Sequence, residues 1–322
     1  MKIPFVILLF AFVSIFNAQE PELSNGHYRI YSVASQREIT IEELINESAQ
    51  TDVIFFGELH NDSVAHYLEL EITKALFGRH GSNFAVAMEM FDRDVQPVMN
   101  EYLRGSIRER HFNKDARIWS NYGDYKPVVE FAKENNIPVV CSNAASRYTN
   151  LAGREGQGAL KDLPVLSKKN FAPMPYDTAS GAYHAKLMAL MEVAPTHTPP
   201  PAPGTETPAQ DSVVVVAPIF NPMMSFSLVT AQSLWDATMA YSIAEYRKAN
   251  KKDKVLHING SFHSDEHFGI VIQLKKYSPK TKIMVISCSP DNSFPSINWS
   301  EHSSRGDFII ITDPAVPRTF ED

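Results

Sequence analysis

Two spacings of apolar residues alternate along this chain. The first is a short unbroken run, at residues 53–56 (VIFF), 84–88 (FAVAM) and 137–141 (IPVVC), and again at 255–259, 282–288 and 308–312. Such runs, rich in β-branched and aromatic residues, predict strands buried on both faces. The second is a helical stripe. Val64, Leu68, Ile72, Ala75 and Leu76 share one face of a helix predicted over 63–77, with Asp62 or Ser63 as N-cap and Gly78 near its end. Val95, Val98, Met99 and Leu103 mark another that stops at Gly105; residues 128–133 end a third, and a long one covers about 227–248. Apolar strands separated by helices predict an α/β fold: a mostly parallel sheet with helices on both faces. The alternation is present in both halves, so one sheet assembled from both is expected.

The pattern breaks in two places. At the start, Lys2 precedes an apolar run over 3–16 that ends near Ala18. A helical membrane span needs about 20 apolar residues. The shorter run after a basic start predicts a secretory signal peptide over 1–18, with an uncleaved membrane anchor as the other reading, and an exported protein over 19–322, periplasmic or associated with the cell envelope. No cysteine follows for lipid attachment. In the middle, residues 193–211 hold six prolines, from Pro195 to Pro208. That segment predicts an exposed flexible loop. Before it, Leu187, Leu190 and Met191 mark a short helix over 183–193. The region of about 155–212 is expected to be a small inserted helical cap with its loop, or a spacer.

Composition narrows the classes. Over 322 residues, 44% are hydrophobic and 21% charged, with a net charge of −7. This is globular composition, neither collagen-like nor mainly disordered. The acidic balance, with no Lys/Arg cluster, argues against nucleic acid as a partner. The two cysteines, Cys141 and Cys288, cannot make a Cys-rich zinc site or a C-x-x-C-H haem attachment. Each closes an apolar run, so a disulfide and two buried thiols are both open.

Chemistry gathers after the predicted strands. VIFF leads to Gly57-Glu58-Leu59-His60, FAVAM to Glu89-Met90-Phe91 with Arg93 and Gln96, IPVVC to Ser142-Asn143, and VLHIN to Gly260-Ser261-Phe262-His263. In an open parallel sheet these ends converge on the ligand-binding edge. Glu58 and His60 are two apart, so extended backbone aims both to one side. Such a pair can orient the ring, raise its pKa or share a metal. Arg93 lies four residues after Glu89, the spacing of a structural ion pair. His263-Ser264-Asp265-Glu266-His267 matches H-x-x-E-H, but glycines bracket it and a strand precedes it, so a loop is expected rather than a zinc-protease helix.

These blocks resemble a family. Gly57-Glu58-Leu59-His60-Asn61-Asp62 with His66, then Glu89-Met90-Phe91-x-Arg93-x-x-Gln96, are similar to the first two signatures of ChaN-like proteins. These are the haem-binding uptake proteins of the Tiki/erythromycin-esterase-like superfamily. Trp119, Tyr122, Tyr125-Lys126-Pro127 and Asn143 follow the third block, Gln232, Trp235-Asp236 and Met239-Ala240 the fourth, and Gly260-x-x-His263 with Gly269 the last. The blocks run in order from about residue 50 to 275. The chain departs from the family in lacking a lipidated cysteine, in its proline-rich segment, and in Gly269-Ile270-Val271 where Gly-Val-Pro is usual.

The resemblance implies an α/β fold with a small cap, haem (or a related tetrapyrrole) as ligand, and a role in iron acquisition. A homodimer with haem at its interface, and outer-membrane haem-uptake machinery, are the implied partners. Glu58, His60, His66, Glu89, Arg93, Tyr183, His184 and His263 are the candidate haem-binding residues. An axial ligand is sought among Tyr183, His184, His197, His66 and Tyr67. The alternative is a metal-dependent hydrolase. There Glu58 or Glu89 activates water, while His60 and His263 hold a divalent metal ion or act as base and stabiliser. A member that keeps the fold without activity is a third reading.

Overall fold

The computed structural model describes residues 23–193 and 222–321. The expected leader at 1–18, His197 and nearly all of the proline-rich segment lie outside the described residues. The strands are β1 (Tyr28–Ser32), β2 (Arg37–Ile39), β3 (Val53–Glu58), β4 (Phe84–Asp92), β5 (Val139–Asn143), β6 (Lys254–Gly260), β7 (Ile283–Pro290) and β8 (Phe308–Thr312). The helices are α1 (Ile41–Glu47), α2 (Ser63–His80), α3 (Gln96–Leu103), α4 (Glu109–Asp115), α5 (Tyr122–Glu134), α6 (Ser146–Glu155), α7 (Gly181–Val193), α8 (Pro222–Ala249) and α9 (Ile270–Tyr277). Among the described residues, no helix is long and apolar enough to cross a membrane.

One eight-stranded sheet runs β2-β1-β8-β7-β3-β6-β4-β5. The six strands from β8 to β5 are parallel, while β1 pairs antiparallel with both β2 and β8. The chain crosses from β3 to β4 through α2 and skips one place. It returns through α8 to insert β6 between them, then leaves through α9 to β7 on the far side of β3. This change of direction brings the carboxyl ends of β3, β6 and β4 side by side, the usual ligand edge of such a sheet.

Alternation within each strand builds a core on both faces. Ile54 and Phe56 of β3, Val86 and Met88 of β4, and Leu256 and Ile258 of β6 pack with Leu68, Ile72 and Leu76 of α2 and Val128 and Val129 of α5. Val53, Phe55, Ala87 and Val255 face the other way, onto Met239, Ala240 and Ile243 of α8 and Ile270 and Leu274 of α9. A third cluster joins Tyr148 and Ala152 of α6, Phe171 and Tyr176 to Leu234 and Ala237 in α8. Each fully buried large apolar side chain contributes about 1.5–3 kcal/mol relative to exposure.

The N-terminus of α2 shows how tightly the edge is tied down. Asp62 Oδ1 accepts the Val64 and Ala65 N–H groups at 3.0 and 3.3 Å, and its Oδ2 accepts the Thr312 hydroxyl at 2.6 Å. The helix continues past Gly78, which helical backbone tolerates, and stops at Gly81, whose φ of +53° no side chain would readily adopt. Cys141 and Cys288 are both free and buried. They lie on β5 and β7, four strand spacings apart, or about 19 Å. No bridge is possible at that separation.

Candidate functional site

Two glycines let the strand ends approach. A Cβ on Gly57 would lie 2.9 Å from Ser261 Cα, and one on Gly260 would lie 2.9 Å from His60 Nε2. Around this contact the polar groups divide into two compartments, because Glu58 and Glu89 point to opposite faces of the sheet. Glu58 follows Ile54 and Phe56 in parity and faces α2 and α5. Glu89 follows Ala87 and faces α8.

On the α2 and α5 face, Glu58 Oε1 accepts the Tyr125 hydroxyl at 2.8 Å and lies 3.0 Å from His60 Nδ1. A carboxylate only accepts, so the ring hydrogen belongs on Nδ1, and Nε2 carries the lone pair of the neutral ring. Burial opposes the charge of His60, but the Glu58 bond and the charges of Glu89 and Glu58 raise its pKa. Glu58 Oε2 lies 3.2 Å from His66 Nδ1, and Glu69 Oε2 lies 3.4 Å from that same nitrogen. Burial, then the neighbouring Glu69, pushes the Glu58 carboxyl up to about 8; burial likewise pushes Glu69 up to about 8.

On the α8 face, Glu89 Oε2 accepts the Gly260 N–H at 2.8 Å, and its Oε1 lies 3.3 Å from His263 Nε2. The other edge of the same ring meets Asp236: Nδ1 lies 2.6 Å from Oδ1. The Gln232 amide is 2.9 Å from Nδ1, and the Tyr183 hydroxyl donates to Asp236 Oδ2 at 2.7 Å. Burial disfavours the imidazolium, but Glu89 and Asp236 outweigh it and hold the His263 pKa at about 10. Burial also opposes the Glu89 charge, and His263 overcomes it, bringing Glu89 down to about 2. At neutral pH this is an imidazolium clamped between two carboxylates.

Glu58, His60, Glu89 and His263 therefore meet at one edge, with His66 beside them. Among the described residues, Glu58, His66 and Glu69 form a cluster of three converging metal ligands; the expected His60–His263 pair is not part of one. Nor do the hydrolase roles find their groups. Glu58 is committed to Tyr125 and His60, and Glu89 to Gly260 and His263. Arg93 does not pair with Glu89. It donates to the Lys169 carbonyl and the Ser242 hydroxyl, both at 2.9 Å, and lies 4.9 Å from the centre of the Tyr241 ring. His184 is exposed on α7. The His263-to-His267 segment forms two short 3₁₀ turns with positive φ at Glu266 and His267, so the two histidines share no helical face.

Sequence reasoning missed Glu69. Its signal was an acid on the inward side of α2, one turn after His66 and among Leu68, Ile72 and Leu76. The roles of Tyr125 and Asp236 were also missed, although both stood in the motifs.

A parallel-centred α/β sheet with paired acid–imidazole groups at its carboxyl edge defines the class. The chain belongs to the family described as haem-binding uptake, Tiki superfamily, ChaN, whose model matches residues 44–274. The solved structure of ChaN from Campylobacter jejuni with cofacially bound haem superposes with a TM-score of 0.67 at 19% identity. The match covers 91% of this chain and 100% of that one, and it shows a shared fold. An erythromycin esterase, EreC, in its open conformation matches at a TM-score of 0.46 and 11% identity, over 89% of this chain and 83% of that one. The type III effector HopBA1 matches at 0.44 and 12%, over 85% and 93%. No curated protein matches significantly.

Proposed function

We propose that this protein binds haem, with His60 as the residue that would hold its iron. Membership of the haem-binding uptake family over residues 44–274 carries the reading. A haem site needs an accessible donor beside apolar surface. The His60 side chain is 36% exposed, and its Nε2 has no hydrogen-bond partner among the described residues. Its Nδ1 is fixed by Glu58, the arrangement that orients a metal-binding imidazole and strengthens its other nitrogen as a donor. Trp119 stands edge-on to the ring at 5.2 Å, and Leu59 beside it is 40% exposed.

The other buried candidates fit less well. Tyr183 is 4% exposed, with its hydroxyl spent on Asp236. His66 is 7% exposed, with Nε2 against the His60 carbonyl and Nδ1 turned inward to Glu58. When bound at His60, haem would supply an iron centre held by one imidazole; the chain's own part is to orient that imidazole and shelter it.

Export through residues 1–18, a haem-linked homodimer and a role in iron acquisition extend this proposal, and cell fractionation with haem-limited growth assays addresses them. The direct experiment is titration of the purified chain with haemin, following the Soret band and the oligomeric state. A saturable Soret shift is expected, with dimer formation on loading. No saturable spectral change would sink the proposal.

A further inference from the structure

The Glu58–His66–Glu69 compartment has a geometry that an ion pair does not explain. The His60 carbonyl oxygen lies 3.1 Å from His66 Nε2. A carbonyl only accepts, so Nε2 carries a hydrogen, and in the neutral tautomer with that hydrogen the Nδ1 lone pair points inward. Asp124 Oδ2, 3.8 Å from Nε2, favours the same tautomer. Facing that lone pair are Glu58 Oε2 at 3.2 Å and Glu69 Oε2 at 3.4 Å. Both carboxylates therefore converge on one nitrogen, with all three donor atoms within 4.8 Å of one another.

Two further observations point to a ligand between them. The Glu58 and Glu69 side chains have no solvent exposure, and Glu58 Oε2 and Glu69 Oε1 lack any hydrogen-bond partner among the described residues. No Lys or Arg pairs with either acid among the described residues. The spacing also suits coordination, since donors bound to one ion at about 2.0–2.1 Å sit about 3.0–3.4 Å apart. A pocket of about 590 Å³, bordered by Ser63, Tyr67 and Asp124, reaches the cluster only at His66.

We infer that Glu58, His66 and Glu69 bind one small divalent transition-metal ion. Two carboxylate oxygens, one imidazole and no thiolate select ions of the manganese, iron(II) and zinc kind. The Nε2–H bond to a backbone carbonyl is the outer contact that fixes such an imidazole. The ion ties the end of β3 to the first turns of α2, and through the other oxygen of Glu58 it steadies His60. The site does not depend on the haem reading, and its test uses haem-free protein.

The full chain, stripped with a chelator, is titrated with Co²⁺ while its visible d–d bands and bound metal are measured. One equivalent with new d–d absorption is expected. Glu69→Gln, which keeps shape and removes one charged ligand, is expected to weaken binding at least about tenfold. His66→Ala should weaken it further. His267→Gln, at an exposed histidine outside the cluster, should leave it unchanged. Absence of saturable binding by the unaltered chain overturns the inference. So does binding that Glu69→Gln leaves intact, or that His267→Gln removes.

Discussion

Each compartment is centred on one imidazole flanked by two carboxylates, His263 in one and His66 in the other, and the two differ in where the acids stand. At His263 the acids lie on opposite nitrogens: Asp236 at Nδ1 and Glu89 at Nε2. Each ring N–H has its own acceptor, and the result is a closed ionic clamp. At His66 both acids lie on the same nitrogen, and the other nitrogen is turned away to a carbonyl. With the hydrogen on that other nitrogen, no ring hydrogen faces the acids, and Glu58 Oε2 and Glu69 Oε1 have no hydrogen-bond partner among the described residues. The lesson is that composition does not decide whether an acid–histidine cluster holds the fold together or holds a ligand. The edge of the ring that each acid meets decides it.

The sharpest way to break this comparison is to remove the clamp's cation. His263→Ala leaves Glu89 and Asp236 buried without their partner. It is expected to cost about 3–5 kcal/mol of stability in urea unfolding. A loss below about 1 kcal/mol would show that the clamp is not ionic.

A second test uses pH. The folded pKa of His263 is raised to about 10 from an ordinary 6.5, so its stabilisation is fully present below about 6.5 and is lost as pH rises through about 10. Glu89 is lowered to about 2, so its share is present above its ordinary value near 4.5 and is lost as pH falls through about 2. Thermal unfolding from pH 7 to 11 is expected to show a loss of about 4 kcal/mol that His263→Gln flattens. An unchanged slope in that variant would assign the alkaline loss to other groups.

Between the compartments stands Gly260. A Cβ there meets His60 Nε2 at 2.9 Å and Cε1 at 3.1 Å, so Gly260→Ala must displace the ring. Haemin affinity is expected to fall about tenfold, near 1.4 kcal/mol, with the fold retained. An unaltered Soret titration would place the donor elsewhere. The smallest effect is expected at the open compartment. In metal-free protein, Glu69→Gln should change stability by less than about 1 kcal/mol, because the acid it removes is incompletely paired. A cost equal to that of His263→Ala would erase the distinction between the two compartments.

Much of the fold was legible because the central strands are continuous apolar runs. Residues 53–56, 137–141 and 308–312 all seeded real strands, and the stripe from Val64 to Leu76 lies on the buried face of α2. The antiparallel edge was not legible. β1, with sequence YRIYS, is buried only at alternate positions, and β2 has three residues, so neither forms an apolar run. The edge carrying the site was visible in the polar residues after each strand, but the grouping was not. Glu58 and Glu89 both follow apolar runs, yet a difference of one position in parity sends them to opposite faces. Asp236 reaches His263 from α8, 27 residues earlier in the chain, a contact that sequence spacing does not encode. Arg93 had the spacing of a helical ion pair with Glu89. Because Glu89 lies in a strand and Arg93 begins a 3₁₀ turn, that spacing does not put them on one face.

The central claim is that the donor offered by this edge is His60, oriented by Glu58 from behind. Parallel haemin titrations of the unaltered chain, His60→Ala and His184→Ala test it most directly. A saturable Soret band is expected in the unaltered chain and in His184→Ala, and its loss or displacement with at least about tenfold weaker binding in His60→Ala. An identical spectrum and affinity in His60→Ala would contradict it.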